Sequence, residues 1–294
     1  MTNSPSAKIR VHEDPDLFRE AIRFTAAEAS FPARLIEKDY FCTVLLVHLA
    51  QADEQLVFKG GTCLAKVHGD FYRMSEDLDF AIPMAVTASR LERSSRISRA
   101  KKAVNELSKK LPCFQVAQPL RGANQSTQYI GSVRYLSIAN RQEETVTLEI
   151  SLREPLHRPV AQRPVRTMLL DPVSGQPLVS PRKVQCVNDM EAWAEKCRAA
   201  MTRRDVAIRD FYDVDYAVRM LGLRLDTAEL IEMLKHKLAV PGNDVIDVGP
   251  DRLARLQGQV DTRLKPVLRA ADLNAFDVDR AFRMILELAQ RLAD

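Results

Sequence analysis

No stretch of this 294-residue chain approaches the roughly eighteen uninterrupted apolar residues of a membrane-spanning helix. The N-terminus also lacks the charged, apolar and small-residue series of a signal peptide. These absences predict a soluble, cytoplasmic protein with no membrane partner. Cysteine is scarce and dispersed, with five residues at positions 42, 63, 113, 186 and 197 that form no close metal-ligand spacing. An odd count without an export signal argues for thiols rather than disulfides, and Cys63 reads as a small buried filler. The five histidines do not cluster along the chain, so none is assigned a metal or general-base role. Excess charge is slight. A formal net charge of +4 hints at an anionic partner without requiring one.

The chemistry that is present is concentrated in one segment. Val57 and Phe58 end an apolar run that reads as a buried strand, and Lys59-Gly60-Gly61-Thr62 follows. Two glycines let the backbone turn sharply and present bare N–H groups at a helix start, which is a nest for phosphate. Thr62 is placed to cap the helix and offer its hydroxyl to the same anion, with Cys63, Leu64 and Val67 on the apolar face. Then comes Arg73-Met74-Ser75-Glu76-Asp77-Leu78-Asp79-Phe80. Its period of two sets Asp77 and Asp79 on one strand face and turns Leu78 and Phe80 into the core. Adjacent carboxylates repel unless solvated or sharing a cation, and hard oxygen ligands suit Mg²⁺ bridging the phosphates of a nucleoside triphosphate. The β-branched run Thr145 to Leu152 carries a single acid, Glu149, the candidate third metal ligand. Strand, glycine turn, helix and acidic strand in this order point to a metal-dependent nucleotidyltransferase site.

Around it, Asp16 to Gln51 shows helical periodicity in two elements, the second begun by Pro32. Glu37-Lys38-Asp39-Tyr40 is either a solvated first turn of that second helix or a border of the nucleotide site. Val86 to Lys110 reads as one basic helix, in which Arg90, Arg93 and Arg96 drift slowly around one face and, with Arg99, make a stripe able to track a phosphate backbone. Strands are expected at Phe114 to Ala117, Thr127 to Ala139, Thr145 to Arg153 and Val165 to Leu170, with Leu156 to Pro164 a connector. From Asn188 the pattern turns helical and stays so. The boundaries are therefore 1–187 for an α/β lobe and 188–294 for a helical lobe. In the latter, Lys196 is either a snorkelling surface lysine or an amine reaching toward phosphate, and Asp210 and Asp213 share one side of the next helix beside Arg209.

These residues resemble the AbiEii/AbiGii nucleotidyltransferase toxins, including their MenT-like members. The resemblance lies in Glu37 to Tyr40, Lys59 to Leu64 as Lys-Gly-Gly-Thr-x-Leu, Arg73 to Asp79 as Arg-x-Ser-Glu-Asp-x-Asp, Glu195-Lys196, and Arg209 to Asp213 as Arg-Asp-x-Tyr-Asp. It implies an α+β, two-lobed, bean-shaped nucleotidyltransferase-like fold with an N-terminal mixed sheet, a helical C-terminal lobe and the nucleotide in the cleft between them. It also implies a toxin of a bacterial toxin–antitoxin or phage-defence module that inhibits growth, with a cognate antitoxin from a neighbouring gene as partner. Some members add nucleotides to the 3′ end of tRNA. The basic helix and the residues after Glu149 are not diagnostic, so the choice of acceptor does not transfer.

The expected mechanism follows. Asp77, Asp79 and Glu149 hold Mg²⁺; Lys59, Gly60, Gly61, Thr62 and Ser75 bind the nucleotide; Lys196 neutralises developing charge, with Asp210 orienting it or activating the acceptor hydroxyl. Arg90, Arg93, Arg96 and Arg99 are the candidate RNA contacts, for which a tRNA acceptor end is the leading partner. Rival readings are a protein or small-molecule acceptor, and a non-catalytic nucleotide-binding module. Ser75 is also a candidate regulatory phosphosite, since phosphate there would put negative charge where the triphosphate belongs.

Overall fold

Two helices open the fold, and local chemistry sets their ends. In a computed structural model, which describes residues 10–293, α1 runs Pro15–Ala29, with proline at its first turn and the Asp14 side chain accepting from Leu17 N–H. Helix α2 spans Ala33–Ala52 and starts after Pro32, as its sequence requires. Every residue of α2 from Leu35 to Val47 is buried. A helix enclosed on all sides must supply a partner for each charge it carries.

That demand explains the run Glu37-Lys38-Asp39-Tyr40, which lies past the first turn and is buried throughout. It is not a solvated turn. Glu37 accepts hydrogen bonds from the Ser137 hydroxyl and from the N–H groups of Ile138 and Ala139, at 2.8 and 3.2 Å for the two N–H groups. Burial pushes its carboxyl up, and these bonds pull it back. Lys38 Nζ lies 2.9 Å from Glu76 and 3.6 Å from Glu144. Asp39 pairs with Lys66, whose ammonium also reaches Thr43 Oγ1 at 2.8 Å, and accepts from Met168 N–H at 3.0 Å. One helix thus pins the segments on either side of the Asp77–Asp79 run.

Beside it lies a seven-stranded mixed sheet in the order β3-β4-β5-β2-β1-β7-β6. The strands are β1 Val57–Lys59, β2 Leu78–Ala81, β3 Gln115–Ala123, β4 Gln128–Leu136, β5 Glu143–Ser151, β6 Ala161–Val165 and β7 Arg182–Cys186. The pairs β2–β5 and β1–β7 are parallel and the others antiparallel. Short β1 and β2 sit centrally, joined through helix α3, Gly60–Cys63, and a π-helical turn, Leu64–His68. Alternation in β5 buries Glu144, Val146, Leu148 and Ile150 and turns Thr147 and Glu149 to the other face.

Several expectations change here. The basic segment is three short helices, α4 Arg90–Arg96, α5 Ser98–Asn105 and α6 Leu107–Lys110, not one. Ser89 and Glu92 form a capping box at the start of α4. Val165 to Leu170 is not a strand. Ala161–Val165, inside the supposed connector, is the edge strand instead, where Pro164 is tolerated because an edge needs no donor on its outer side. Strand β7, Arg182–Cys186, lies outside all the expected strands.

The chain divides into two compact units: residues up to Pro155 with Val160–Val187, and Leu156–Pro159 with the residues from Asn188 onward. The second unit is helical: α7 Asp189–Thr202, α8 Ile208–Met220, α9 Ala228–Leu238, α10 Pro250–Gln257, α11 Ala270–Ala275 and α12 Val278–Ala293. Leu156–Pro159 joins it because Glu191 of α7 accepts from the N–H groups of His157 and Arg158, the latter at 3.0 Å. No helix among the described residues is long and apolar enough to cross a membrane.

The Asp39–Lys66 pair is almost wholly enclosed, with side chains 3% and 1% exposed. Lys66→Met should destabilise the protein by about 3–5 kcal/mol because it leaves a buried carboxylate uncompensated. Asp39→Asn combined with Lys66→Met should recover part of that loss. Urea unfolding of the two variants checks this, and equal destabilisation would mean the charge itself is not what matters.

Candidate active site

The register of three strands assembles the acidic set. Asp79 of β2 is paired with Lys59 of β1 on one side and Glu149 of β5 on the other. Residues in register share a face, and adjacent strands lie about 4.8 Å apart. Lys59, Asp79 and Glu149 therefore form one row across the sheet, all half-buried. The row continues through Ile130 of β4 to exposed Arg121 of β3, a cation that sequence spacing could not place there. Asp77 precedes β2 and its Oδ1 accepts from Thr147 N–H at 3.3 Å, which ties it to β5 two residues before Glu149. Asp79 and Glu149 thus stand in register beside a half-buried lysine, and Asp77 is held to the same strand pair; oxygen donors of this kind are the type that Mg²⁺ takes.

Gly60 closes the floor of this row. Its φ of 75° lies in the left-handed region, and a Cβ there would overlap the Asp79 carboxylate and come 2.8 Å from Asp79 Cβ. Gly61 is constrained from the other direction, since its Cβ would fall 2.6 Å from a terminal nitrogen of Arg73. Arg73 is 2% exposed and donates to the Met74 carbonyl at 3.1 Å. A guanidinium held against the glycine turn biases that turn toward anions. In the sequence Arg73 stands in the Arg-x-Ser-Glu-Asp-x-Asp motif with no role that spacing alone assigns. An arginine placed between a Gly-Gly turn and two acids was the available signal.

Two other assignments shift. Thr62 is not a cap: it is the third residue of α3 and 2% exposed. Its hydroxyl is engaged by the Asp77 carbonyl and, at 2.8 Å, by Ser75 Oγ. Thr62 thus latches the glycine turn to the acidic segment. Ser75 is half-buried in the loop before β2, with its Oγ turned to Thr62.

The basic stripe is incomplete. Arg90, Arg96 and Arg99 are exposed, but Arg93 is buried, donating to the carbonyls of Leu152 at 3.2 Å and Val86 at 2.9 Å. Spacing by three on a short, capped helix turned this residue inward, so it braces α4 against the sheet. Arg96 and Arg99 line a groove of about 540 Å³ with Ser95, Ser98 and Gln185.

Within the helical unit, Lys196 of α7 is neither a surface lysine nor an open amine. Its Nζ lies 2.7 Å from Asp210 and 2.9 Å from Asp213 of α8, and Arg203 meets Asp210 from the other side at 3.1 Å. The neighbouring Glu195 pairs at 3.1 Å with Lys237, which also meets Glu191 at 2.6 Å.

A second donor set was missed entirely. Cys63, His68 and Cys186 bring one sulfur or nitrogen atom each to within 4.8 Å of one another, although sequence spacing disperses them. The hydrogen bond from Cys63 holds the Cys186 thiol down to about 5, against the opposing effect of burial and with help from His68. Histidines meet elsewhere as well, with the rings of His157 and His236 stacked at 4.8 Å.

A family profile described as "Nucleotidyl transferase AbiEii toxin, Type IV TA system" matches residues 44–287. Two solved structures from Helicobacter pylori are similar. JHP933 shares 20% identity over 88% of each chain, with a TM-score of 0.45. A candidate nucleotidyltransferase shares 21% over 88% of this chain and 90% of that one, with a TM-score of 0.43. No curated protein sequence matches the chain.

Gly60 and Gly175 offer a matched comparison, because both have positive φ but a Cβ on Gly175 meets nothing within 4 Å. Gly175→Ala should cost about 1–2 kcal/mol for the left-handed backbone. Gly60→Ala should cost roughly 1–3 kcal/mol more for the collision with Asp79. Chemical denaturation of the two variants measures the difference, and equal losses would show that Asp79 yields freely.

Proposed function

Since the chain belongs to the AbiEii nucleotidyltransferase toxin family, we propose that this nucleotidyltransferase transfers a nucleoside monophosphate from an NTP to the 3′ acceptor end of tRNA, releasing pyrophosphate and blocking translation. The observation that carries the reading is the Lys59–Asp79–Glu149 row with the Gly60 turn pressed against Asp79. Asp77, Asp79 and Glu149 would hold Mg²⁺, which when bound screens phosphate charge and polarises the reacting phosphoryl group. The N–H groups of the Gly60-Gly61 turn receive phosphate oxygens, with Lys59 and buried Arg73 supplying positive charge. Thr62 and Ser75 keep the turn and Asp77 in fixed relation, so that geometry is set before substrate arrives. The acceptor hydroxyl attacks the α-phosphorus and the bond to pyrophosphate breaks.

Lys196 and Asp210 are proposed to take part in the same reaction, Asp210 orienting the ammonium through the ion pair they make within the helical unit. Exposed Arg90, Arg96 and Arg99 favour an RNA acceptor, with Arg93 excluded by its burial. Phosphorylation of Ser75 would add charge beside Asp77 and displace the Thr62 latch, which requires the Ser75–Asp77 loop to open first. A cognate antitoxin is the protein partner that membership implies.

Purified protein incubated with total tRNA, Mg²⁺ and each α-labelled NTP in turn should label tRNA, and Asp79→Asn should reduce the label by about 100-fold or more. Transfer surviving in Asp79→Asn would refute the metal assignment, whereas label appearing only on protein would move the acceptor. Binding of tRNA should weaken as salt rises, and Arg96→Ala and Arg99→Ala should each lower the salt slope by about one. Arg93→Ala should instead lower stability and leave that slope unchanged.

A further inference from the structure

Cys63, His68 and Cys186 come from α3, the end of the π-helical turn and the last residue of β7. We propose that they form a binding site for a soft divalent cation, Zn²⁺, separate from the carboxylates of Asp77, Asp79 and Glu149. Their donor atoms already lie within 4.8 Å of one another. Zinc bonds of about 2.3 Å to sulfur and 2.0–2.1 Å to nitrogen place tetrahedral ligands roughly 3.5–3.8 Å apart, so side-chain adjustments of about 1 Å complete the set. Two thiolates and an imidazole are the donors that zinc prefers and that Mg²⁺ declines.

Three features single this cluster out from a chance meeting of buried thiols. Residues five apart on an α-helix point about 140° away from each other. Here the i→i+5 bonding of Leu64–His68 widens the helix and returns His68 toward Cys63. His68 Nε2 is enclosed and has no hydrogen-bond partner, an arrangement that a metal would satisfy. Cys186 is paired with Phe58 of β1, so a bound ion would tie α3 to β7 across the strand that leads into the glycine turn. The Cys186 thiol now donates to the Ala161 carbonyl at 3.3 Å. On binding, any sulfur that still carries a proton releases it to solvent and the cation takes its place. Three protein ligands leave one position for water.

The test uses full-length, reduced, chelator-treated protein titrated with Co²⁺ and then Zn²⁺. The expected result is one equivalent of cobalt per chain, a thiolate-to-cobalt charge-transfer band in the near ultraviolet, its loss on adding Zn²⁺, and a higher unfolding temperature in the zinc form. Cys63→Ser and Cys186→Ser should weaken binding on the order of 100-fold or more, and His68→Ala by roughly 10- to 100-fold. Cys113→Ser should leave the band unchanged. Absence of the band in the native sequence overturns the proposal whether or not any variant folds. So does a band that persists in folded Cys186→Ser, or a Cys63–Cys186 disulfide in metal-free protein by non-reducing mass spectrometry. Hard carboxylates give no such band, so this result is independent of the Mg²⁺ assignment.

Discussion

There is no room for a side-chain carbon at Gly60. The Asp79 side chain fills that space, and the backbone adopts a positive φ that other residues resist. Most of the α/β unit can be understood as holding this contact in place. Asp79 must face the turn, so β2 must pair with β1 in the register that sets Lys59 opposite it. The parallel partner β5 then delivers Glu149 to the same row. Gly61 meets a buried guanidinium, and Thr62 fastens the turn to Asp77. The result is a glycine turn and the Asp79 carboxylate in close contact, with little slack between them.

Such a contact needs a rigid frame, and the frame is made of buried charge. Helix α2 is enclosed from Leu35 to Val47, yet it carries three consecutive ionisable residues. Each reaches a different segment: Glu37 the loop after β4, Lys38 the Glu76 that precedes Asp77, and Asp39 the Lys66 that follows α3. Partnered buried charges are costly to break and directional, which suits them to fixing one arrangement of loops that apolar packing alone would leave adjustable. The helical unit repeats the device with Lys237 between Glu191 and Glu195, and Lys196 between Asp210 and Asp213.

Two donor sets of opposite chemical character are connected through the same four-residue helix. Its first residue, Gly60, touches the hard oxygens of Asp79, and its last, Cys63, belongs to a sulfur and nitrogen cluster. Only two residues separate Cys63 from Gly60.

The sequence by itself determined which local geometries were affordable. Glycines at 60 and 61, alternation through Asp77 to Phe80, and helical periodicity at both ends of the chain are short-range properties, and the mixed sheet and helical C-terminal unit follow from them. Composition also set the chemistry on offer: hard carboxylates, a glycine pair and a modest basic surplus. What only the tertiary structure decided is direction and company. Arg93 has the same spacing as Arg90 and Arg96, but packing against Leu152 and Val86 turned it inward. Thr62 looked like a cap and became a latch, because its environment is the carbonyl of Asp77, just before β2 and fifteen residues later in the chain. Pro164 suggested a connector until pairing with Lys183 made it part of an edge. Cys63 and Cys186 are far apart in sequence and share no spacing rule, and only the parallel pairing of β1 with β7 brings their sulfurs together. Periodicity reports the face a residue occupies on its own element. The partner on that face is set by long-range register, which no local pattern encodes.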